Sequence, residues 1–273
     1  MQQADNPTPR LSVPSADNRW KTRNILGFEI LVASHDEAIV AMDDYLDAKS
    51  PALITFLNAH VSNLAAKDEH LAGILRQSLI LNDGIGVDIA SRLLHGAHFP
   101  DNLDGTDMVP RFLRHTRHRF RIYMVGSAAG VADRALKALQ DVAPQHTYVG
   151  AHHGFLNEGG SGELLEDIRS KSADLVLVGM GTPIQEAWAY DLLVKPAAVS
   201  AICVGGLLDF VSEEKVRAPQ WLRSLRAEWI FRLMIEPQRL WRRYLLGNPL
   251  FITRVLAARV GLSRAQEDRI SRR

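Results

Sequence analysis

From Asn24 onward, short apolar runs alternate with segments whose apolar residues recur every three or four positions. NILGFEILV predicts two short strands turning at Gly27, and a helix follows near Asp36–Ala48, with Ala38, Met42, Tyr45 and Leu46 at helical spacing. PALITFL predicts a buried strand ending at Asn58, followed by a helix over Val61–Gln77. SLIL predicts a further short strand, and Ile85, Ile89 and Leu93 mark one face of the helix after it. FRIYMVG reads as a strand ending at Gly126-Ser127 before a helix over Ala128–Asp141. HTYVGA is a strand, and the glycines at Gly159–Gly162 open a helix carrying Leu164, Leu165 and Ile168. DLVLVGMG is a strand turning at Thr182-Pro183 into another helix, and AVSAICVGG is a strand ending on paired glycines.

Apolar strands alternating with helices predict an α/β fold, Rossmann-like, with a mostly parallel sheet covered by helices on both faces. Ligands of such sheets sit beyond the carboxyl ends of the strands, so the residues just after each strand are the candidates for a site. In chain order these are Asn58, Asp83-Gly84, Gly126-Ser127, Gly150, Gly179 to Thr182, and Gly205-Gly206. Glycine there lets a ligand approach the backbone, but it serves plain turns equally well.

Asp83 poses the sharpest question. LILNDGIGVD could close a hairpin, but IGVDIASRLL has helical rather than alternating periodicity, so Asp83 falls at the mouth of the sheet beside a helix start. There it is either a turn and capping aspartate or a general base, and local sequence leaves both open. In VGMGTPIQE, Thr182 is placed as an N-cap, Pro183 as the first helical residue and Gln185 as the partner in a capping box. The same helix start could hold an anion such as a diphosphate. In DNLDGTDMV, Asp104-Gly105 reads as a turn with Thr106 as N-cap, and the carboxylates lack calcium-loop spacing.

Composition narrows the class. The chain has 273 residues, 47% hydrophobic and 23% charged, as in ordinary soluble proteins, and its lone Cys203 excludes an intrachain disulfide. Cys203 lies in a strand and reads as structural. The ten histidines show no metal-ligand spacing, so no metal is expected. There is no G-x-G-x-x-G, P-loop or G-x-S-x-G pattern, which counts against a nucleotide-binding oxidoreductase, the competing enzyme class, and against a hydrolase. Residues 1–20 are polar, Pro-containing and without a signal-peptide core, and read as a disordered tail. Residues 21–214 form the expected catalytic core.

Charge separates the remainder. From Lys215 to the end there are 14 Lys+Arg against 4 Asp+Glu, a net +10, whereas the preceding part holds 18 against 27, a net −9. Within residues 215–273, Trp221, Trp229, Phe231 and Trp241 interleave with Arg223, Arg226, Arg232, Arg239, Arg242 and Arg243. Helices broken at Pro237 and Pro249 are expected, forming either a hairpin packed on the core or an appendage on an anionic membrane surface. No nucleic-acid signature accompanies the charge.

Together NDGIGV, GTD, VGMGTPIQE, VGGLLDF and RAPQWLRSLRAEWIFRLMIEPQRLWRRY resemble, in order, the WecG/TagA/CpsF family of bacterial glycosyltransferases, over Asn24 to Asn248. The resemblance implies inverting, metal-independent transfer from a UDP-sugar to a polyprenyl-diphosphate-linked saccharide, at the cytoplasmic membrane face, in cell-surface or exopolysaccharide assembly. The transferred sugar would be an N-acetylhexosamine such as N-acetylmannosamine, or a hexose or uronic acid. It makes Asp83 the base, with Gln185 and Arg217 as further catalytic candidates. It adds Asn58, Gly84, Gly105, Thr106, Asp107, Gly126, Ser127, Gly181, Thr182, Glu186, Gly205, Gly206, Asp209, Arg223, Arg226 and Arg232 as substrate-binding candidates. No cofactor is implied, and a homo-oligomer is left open. Two departures stand out: Phe56 occupies the place of a common threonine, and FPDNL lacks an arginine usual before G-T-D.

Overall fold

The computed structural model describes residues 19–47, 51–156, 160–194, 199–214, 217–219, 222 and 228–271, with side chains as far as Gly261. Arg223, Arg226 and nearly all of the expected polar tail lie outside the described residues. Eight strands alternate with helices: β1 Thr22–Ile25, β2 Phe28–Leu31, α1 His35–Leu46, β3 Leu53–Leu57, α2 Ala59–Ala65, α3 Glu69–Arg76, β4 Leu79–Asn82 and α4 Ile85–His95. Then come α5 Gly105–His115, β5 Arg121–Gly126, α6 Val131–Val142, β6 Thr147–His152, α7 Gly160–Ser170, β7 Leu175–Gly179, α8 Ile184–Val194, β8 Ser200–Cys203 and α9 Leu207–Val211. The chain continues as α10 Glu228–Ile235, α11 Pro237–Trp241, a π-helical turn Arg242–Leu246 and α12 Gly247–Ser271.

The strands form one sheet in the order β1-β2-β4-β3-β8-β7-β5-β6. Only β1 and β2 are antiparallel, as the Gly27 turn predicts; the other pairs are parallel. Every residue of β3 and β7 is buried, because helices cover both faces and leave the strands no polar side. Among the described residues, no helix is long and apolar enough to cross a membrane.

Four local expectations need correction. The helix expected over Val61–Gln77 is two helices, because the Asp68 carboxylate takes the Leu71 N–H and starts α3 afresh. The Ile85/Ile89/Leu93 stripe is not the buried face of α4: Val87, Asp88, Ala90 and Ser91 are buried, while Ile85 and Ile89 are exposed. Asp88 tolerates burial because it accepts from the Phe99 N–H at 2.9 Å and pairs with His98 Nδ1 at 2.7 Å. The cap of α5 is Asp104 rather than Thr106; it accepts from the N–H groups of Thr106 and Asp107. Lastly, no capping box forms at Thr182: α8 begins at Ile184, and the Thr182 hydroxyl donates to Glu186 at 2.9 Å instead.

The last helix is part of the packed body. Phe251 and Val255 of α12 are fully buried in the cluster formed with α2 and α4. Asn63 donates to the Gly247 carbonyl at 2.7 Å, and Arg254 donates to the Ser62 carbonyl at 3.0 Å and Asn63 Oδ1 at 2.8 Å. Gly86 keeps α4 close to its neighbours, since a Cβ there would stand 3.4 Å from Ala59 and 3.9 Å from the Phe251 ring.

Candidate active site

At the carboxyl ends of the strands lies one cleft of about 1830 Å³, walled on one side by the sheet and on the other by α10, α11 and the π turn. It is lined by Asn58, Asp83, Gly84, Gly105, Thr106, Asp107, Ser127, Gly181, Thr182, Gln185, Gly205, Gly206, Asp209, Arg217 and Arg232. Of the other sequence-derived candidates, Gly126 and Glu186 sit just behind its wall, and Arg223 and Arg226 are outside the described residues.

Asp83 follows β4, and three bonds hold its turn. Its N–H continues the sheet pairing by donating to the Leu57 carbonyl at 2.9 Å. Its carboxylate accepts from Asn58 Nδ2 at 2.8 Å. The Asn58 amide is itself oriented, because its oxygen caps α2 by accepting the Val61 N–H at 3.0 Å. The next N–H, that of Gly84, donates to Asn102 Oδ1 at 2.7 Å, and Gly84 has φ +84, where only glycine sits without strain. The other oxygen of Asp83 has no hydrogen-bond partner among the described residues.

Asn102 extends this network by donating to Asp104 at 3.1 Å. Burial first, then the negative charges of Asp83, Asp107 and Glu228, push the Asp104 carboxyl up to about 7, against the opposing Arg217. Arg217 donates to Asp107 at 2.7 Å, and its guanidinium lies 5.9 Å from the centre of the Phe210 ring. Its Nε and Nη2 are buried without a partner among the described residues. Buried guanidinium donors left unpaired are costly, which suits a site that receives an anion. Arg243 also lines the cleft, with a buried Nε that has no partner among the described residues. Arg232 pairs with Glu228 and also lies over the Phe210 ring, 4.8 Å from its centre. Burial, followed by the Arg243 charge, lowers His60 to about 4, so this cleft imidazole is neutral at pH 7.

The opposite end is built mainly from backbone. Helix α6 carries the chain from β5 out to the edge strand β6, whereas α8 carries it from β7 back to β8. Connections therefore diverge between β5 and β7, the arrangement that opens a ligand crevice. Gly126 and Gly179 meet there so closely that a Cβ on Gly126 would stand 2.3 Å from the Gly179 carbonyl oxygen. Ser127, at φ +58, donates its hydroxyl to Asp209 at 2.6 Å.

Gln185 is 4% exposed and committed at both ends: its oxygen accepts the Gly205 N–H at 3.2 Å, and its nitrogen donates to Glu186 at 2.8 Å. It ties the end of β7 to the turn after β8. Burial raises the Glu186 carboxyl above its usual range. Cys203 is 2% exposed, and burial, then the Glu186 charge, raises its thiol well above normal, so it has no nucleophilic character at neutral pH. Among the described residues no three His, Cys, Asp or Glu side chains converge as a metal site.

Sequence reasoning missed Asn102, Asp104 and Arg243. Asp104 had a readable signal, since aspartate before Gly-Thr-Asp caps a helix as well as threonine does. Asn102 had none, because its role depends on a loop folding back onto Gly84.

Comparison with known proteins identifies the family. The profile "Glycosyl transferase WecG/TagA/CpsF family" matches residues 23–265. An N-acetylglucosaminyldiphosphoundecaprenol N-acetyl-beta-D-mannosaminyltransferase of Bacillus subtilis is 30% identical over 215 residues, 78% of this chain and 82% of the relative. The enzyme of the same name from Staphylococcus aureus (strain NCTC 8325 / PS 47) is 28% identical over 218 residues, 78% and 83% of the two chains.

Proposed function

The chain belongs to the WecG/TagA/CpsF family of glycosyltransferases, and from that premise we propose an inverting, metal-independent transfer from a UDP-sugar to a saccharide carried on polyprenyl diphosphate. The named activity of the relatives supports N-acetylmannosamine as the transferred sugar and N-acetylglucosaminyl-diphosphoundecaprenol as the acceptor. One observation carries the reading: a single cleft joins the held carboxylate of Asp83 to a guanidinium, Arg217, with two buried donors that have no partner among the described residues.

In this mechanism Asp83 takes the proton of the acceptor hydroxyl as its oxygen attacks the anomeric carbon. The bond from that carbon to the UDP oxygen breaks on the opposite face, so configuration inverts. Negative charge then grows on the departing diphosphate, where the free N–H groups of Arg217 donate to it. A positioned general base contributes roughly 10²–10⁴-fold. The diphosphate and nucleotide lie along Ser127, Gly181 and Gly205, whose backbone can be approached closely.

The described part of the C-terminal region supports a peripheral position on the cytoplasmic membrane face. Of fourteen exposed large apolar residues among the described ones, nine fall between Ile230 and Val260, among them Met234, Trp241, Leu245 and Leu246. Arg239 and Arg242 alternate with them, the composition of a surface seated at anionic headgroups.

The test is UDP release from a panel of UDP-sugars with N-acetylglucosaminyl-diphosphoprenol as acceptor, with and without a chelator. The expected result is acceptor-dependent release with UDP-N-acetylmannosamine, unchanged by chelation. Strict dependence on a divalent ion would remove the metal-free mechanism, and release without any product on the acceptor would remove the transferase reading.

A further inference from the structure

Ile85 and Ile89 are spaced as one face of a core helix, yet they are 36% and 38% exposed. The third residue of that stripe, Leu93, does turn inward, packing against the cluster that contains Phe251. The exposed pair stands at the start of α4, and Ile85, two residues after Asp83, lines the same cleft. Ile89 lies one helical turn further from Asp83, about 6 Å along the axis. The helix packed against α4, α12, also exposes Leu250 and Leu256. On α4, then, an exposed apolar pair begins in the cleft at Ile85 and continues one helical turn away at Ile89.

The occupant follows from the chemistry of the cleft. An acceptor of the proposed class has a hydroxyl, a diphosphate and an apolar chain in one molecule. The cleft holds a carboxylate at Asp83 and buried guanidinium donors at Arg217 and Arg243, and the apolar strip is the part neither of them explains. We infer that Ile85 and Ile89 seat the first part of the acceptor's prenyl chain as it leaves the cleft for the membrane. This rests on the transferase reading above. The apolar contact is made only by acceptors that carry a long chain, so the strip distinguishes lipid-linked from soluble saccharide diphosphates.

The experiment compares the wild type, Ile89→Ser and Ile85→Ser/Ile89→Ser on two acceptors in the same detergent. Both carry N-acetylglucosamine on diphosphate, one with an undecaprenyl chain and one with a propyl chain. Covering all of the exposed area of two isoleucines corresponds to more than about 10²-fold in affinity. A chain lying along them covers about half of it, on the order of tenfold. The double variant is expected to raise KM for the long-chain acceptor about tenfold, and Ile89→Ser about threefold. Activity of Ile89→Ser, which lies outside the cleft lining, should stay unchanged on the propyl acceptor, which also shows that this variant is folded. Val40→Ser, an equally exposed apolar residue on α1, should change neither.

A double variant equal to wild type on the long-chain acceptor, or weakened equally on both, overturns the inference while leaving the transferase reading in place. Loss of binding to anionic vesicles that contain no acceptor would assign the strip to the bilayer instead, and an altered oligomeric state would assign it to a second copy. Either outcome overturns the inference. A wild type that transfers to neither acceptor would overturn the transferase reading itself.

Discussion

The two ends of the cleft are held in different ways. The Asp83 end is positioned by side-chain amides: Asn58 reaches the carboxylate and Asn102 the following N–H. The end at β5 and β7 is positioned by backbone packed on backbone, with Gly126 against Gly179. A side-chain strut can be shortened with graded loss, whereas a backbone contact with no room for a methyl group cannot. The first end should therefore respond to substitution in kinetics and the second in folding.

Gly126→Ala is the severest test of that contrast. Its Cβ would fall 2.3 Å from a carbonyl oxygen that belongs to a central strand and cannot move away. Overpacking of this kind costs about 3 kcal/mol or more, so thermal unfolding should show a large drop in Tm or no folded protein. Gly84→Ala, at the other end, meets nothing within 4 Å and bears only its positive φ, about 1–2 kcal/mol. A Gly84→Ala protein as unstable as Gly126→Ala would erase the distinction.

Arg217→Ala should lower kcat by about 10²–10³-fold with the fold intact, because it removes donors aimed at the leaving group rather than packing. A rise in KM alone would make Arg217 a binding residue only.

Asp104 gives a pH test. Its carboxyl is raised to about 7 in the folded chain from 3.8, so the folded state holds this proton more tightly than the unfolded one. The stability it contributes is complete below about pH 4 and is lost as pH rises through about 7. Because the side chain is half-buried, roughly half of the full linkage value remains, about 2 kcal/mol. Asp104→Asn should accordingly gain about that much on the wild type between pH 4 and pH 7.5 in urea unfolding. A difference independent of pH would show that Asp104 is ionised throughout.

Asn102→Ala should have the smallest effect, about tenfold in kcat with KM little changed, through the freed Gly84 N–H. Asn102→Asp keeps an acceptor for that N–H but loses the donation to Asp104, so it should recover part of the rate when Asp104 is protonated near pH 6. Equal loss in both variants at every pH would mean that Asn102 only supports the loop.

The sheet and its strand-end positions were legible because each buried strand is a short apolar run closed by a residue that breaks it, as at Asn58, Asp83 and Gly126. The antiparallel β1–β2 pair was legible from Gly27 for the same reason. What escaped depended on contacts distant in sequence. Asn102 acquires its role only by reaching back 18 residues to Gly84. Ile85 and Ile89 keep core-like spacing while the polar Asp88 and Ser91 take the buried positions, because the loop that follows α4 supplies their partners. The capping box at Thr182 failed because Gln185 spends its amide on Gly205 and Glu186. Family resemblance, not local pattern, separated base from turn at Asp83.

That assignment is the central claim, and Asp83→Asn tests it most directly. The amide keeps nearly the same shape beside Asn58 but cannot take a proton from the acceptor. Measured together, calorimetric UDP binding should stay within about twofold of wild type while single-turnover transfer falls at least about 10²-fold. Near-normal transfer by a variant that still binds UDP would contradict Asp83 as the base.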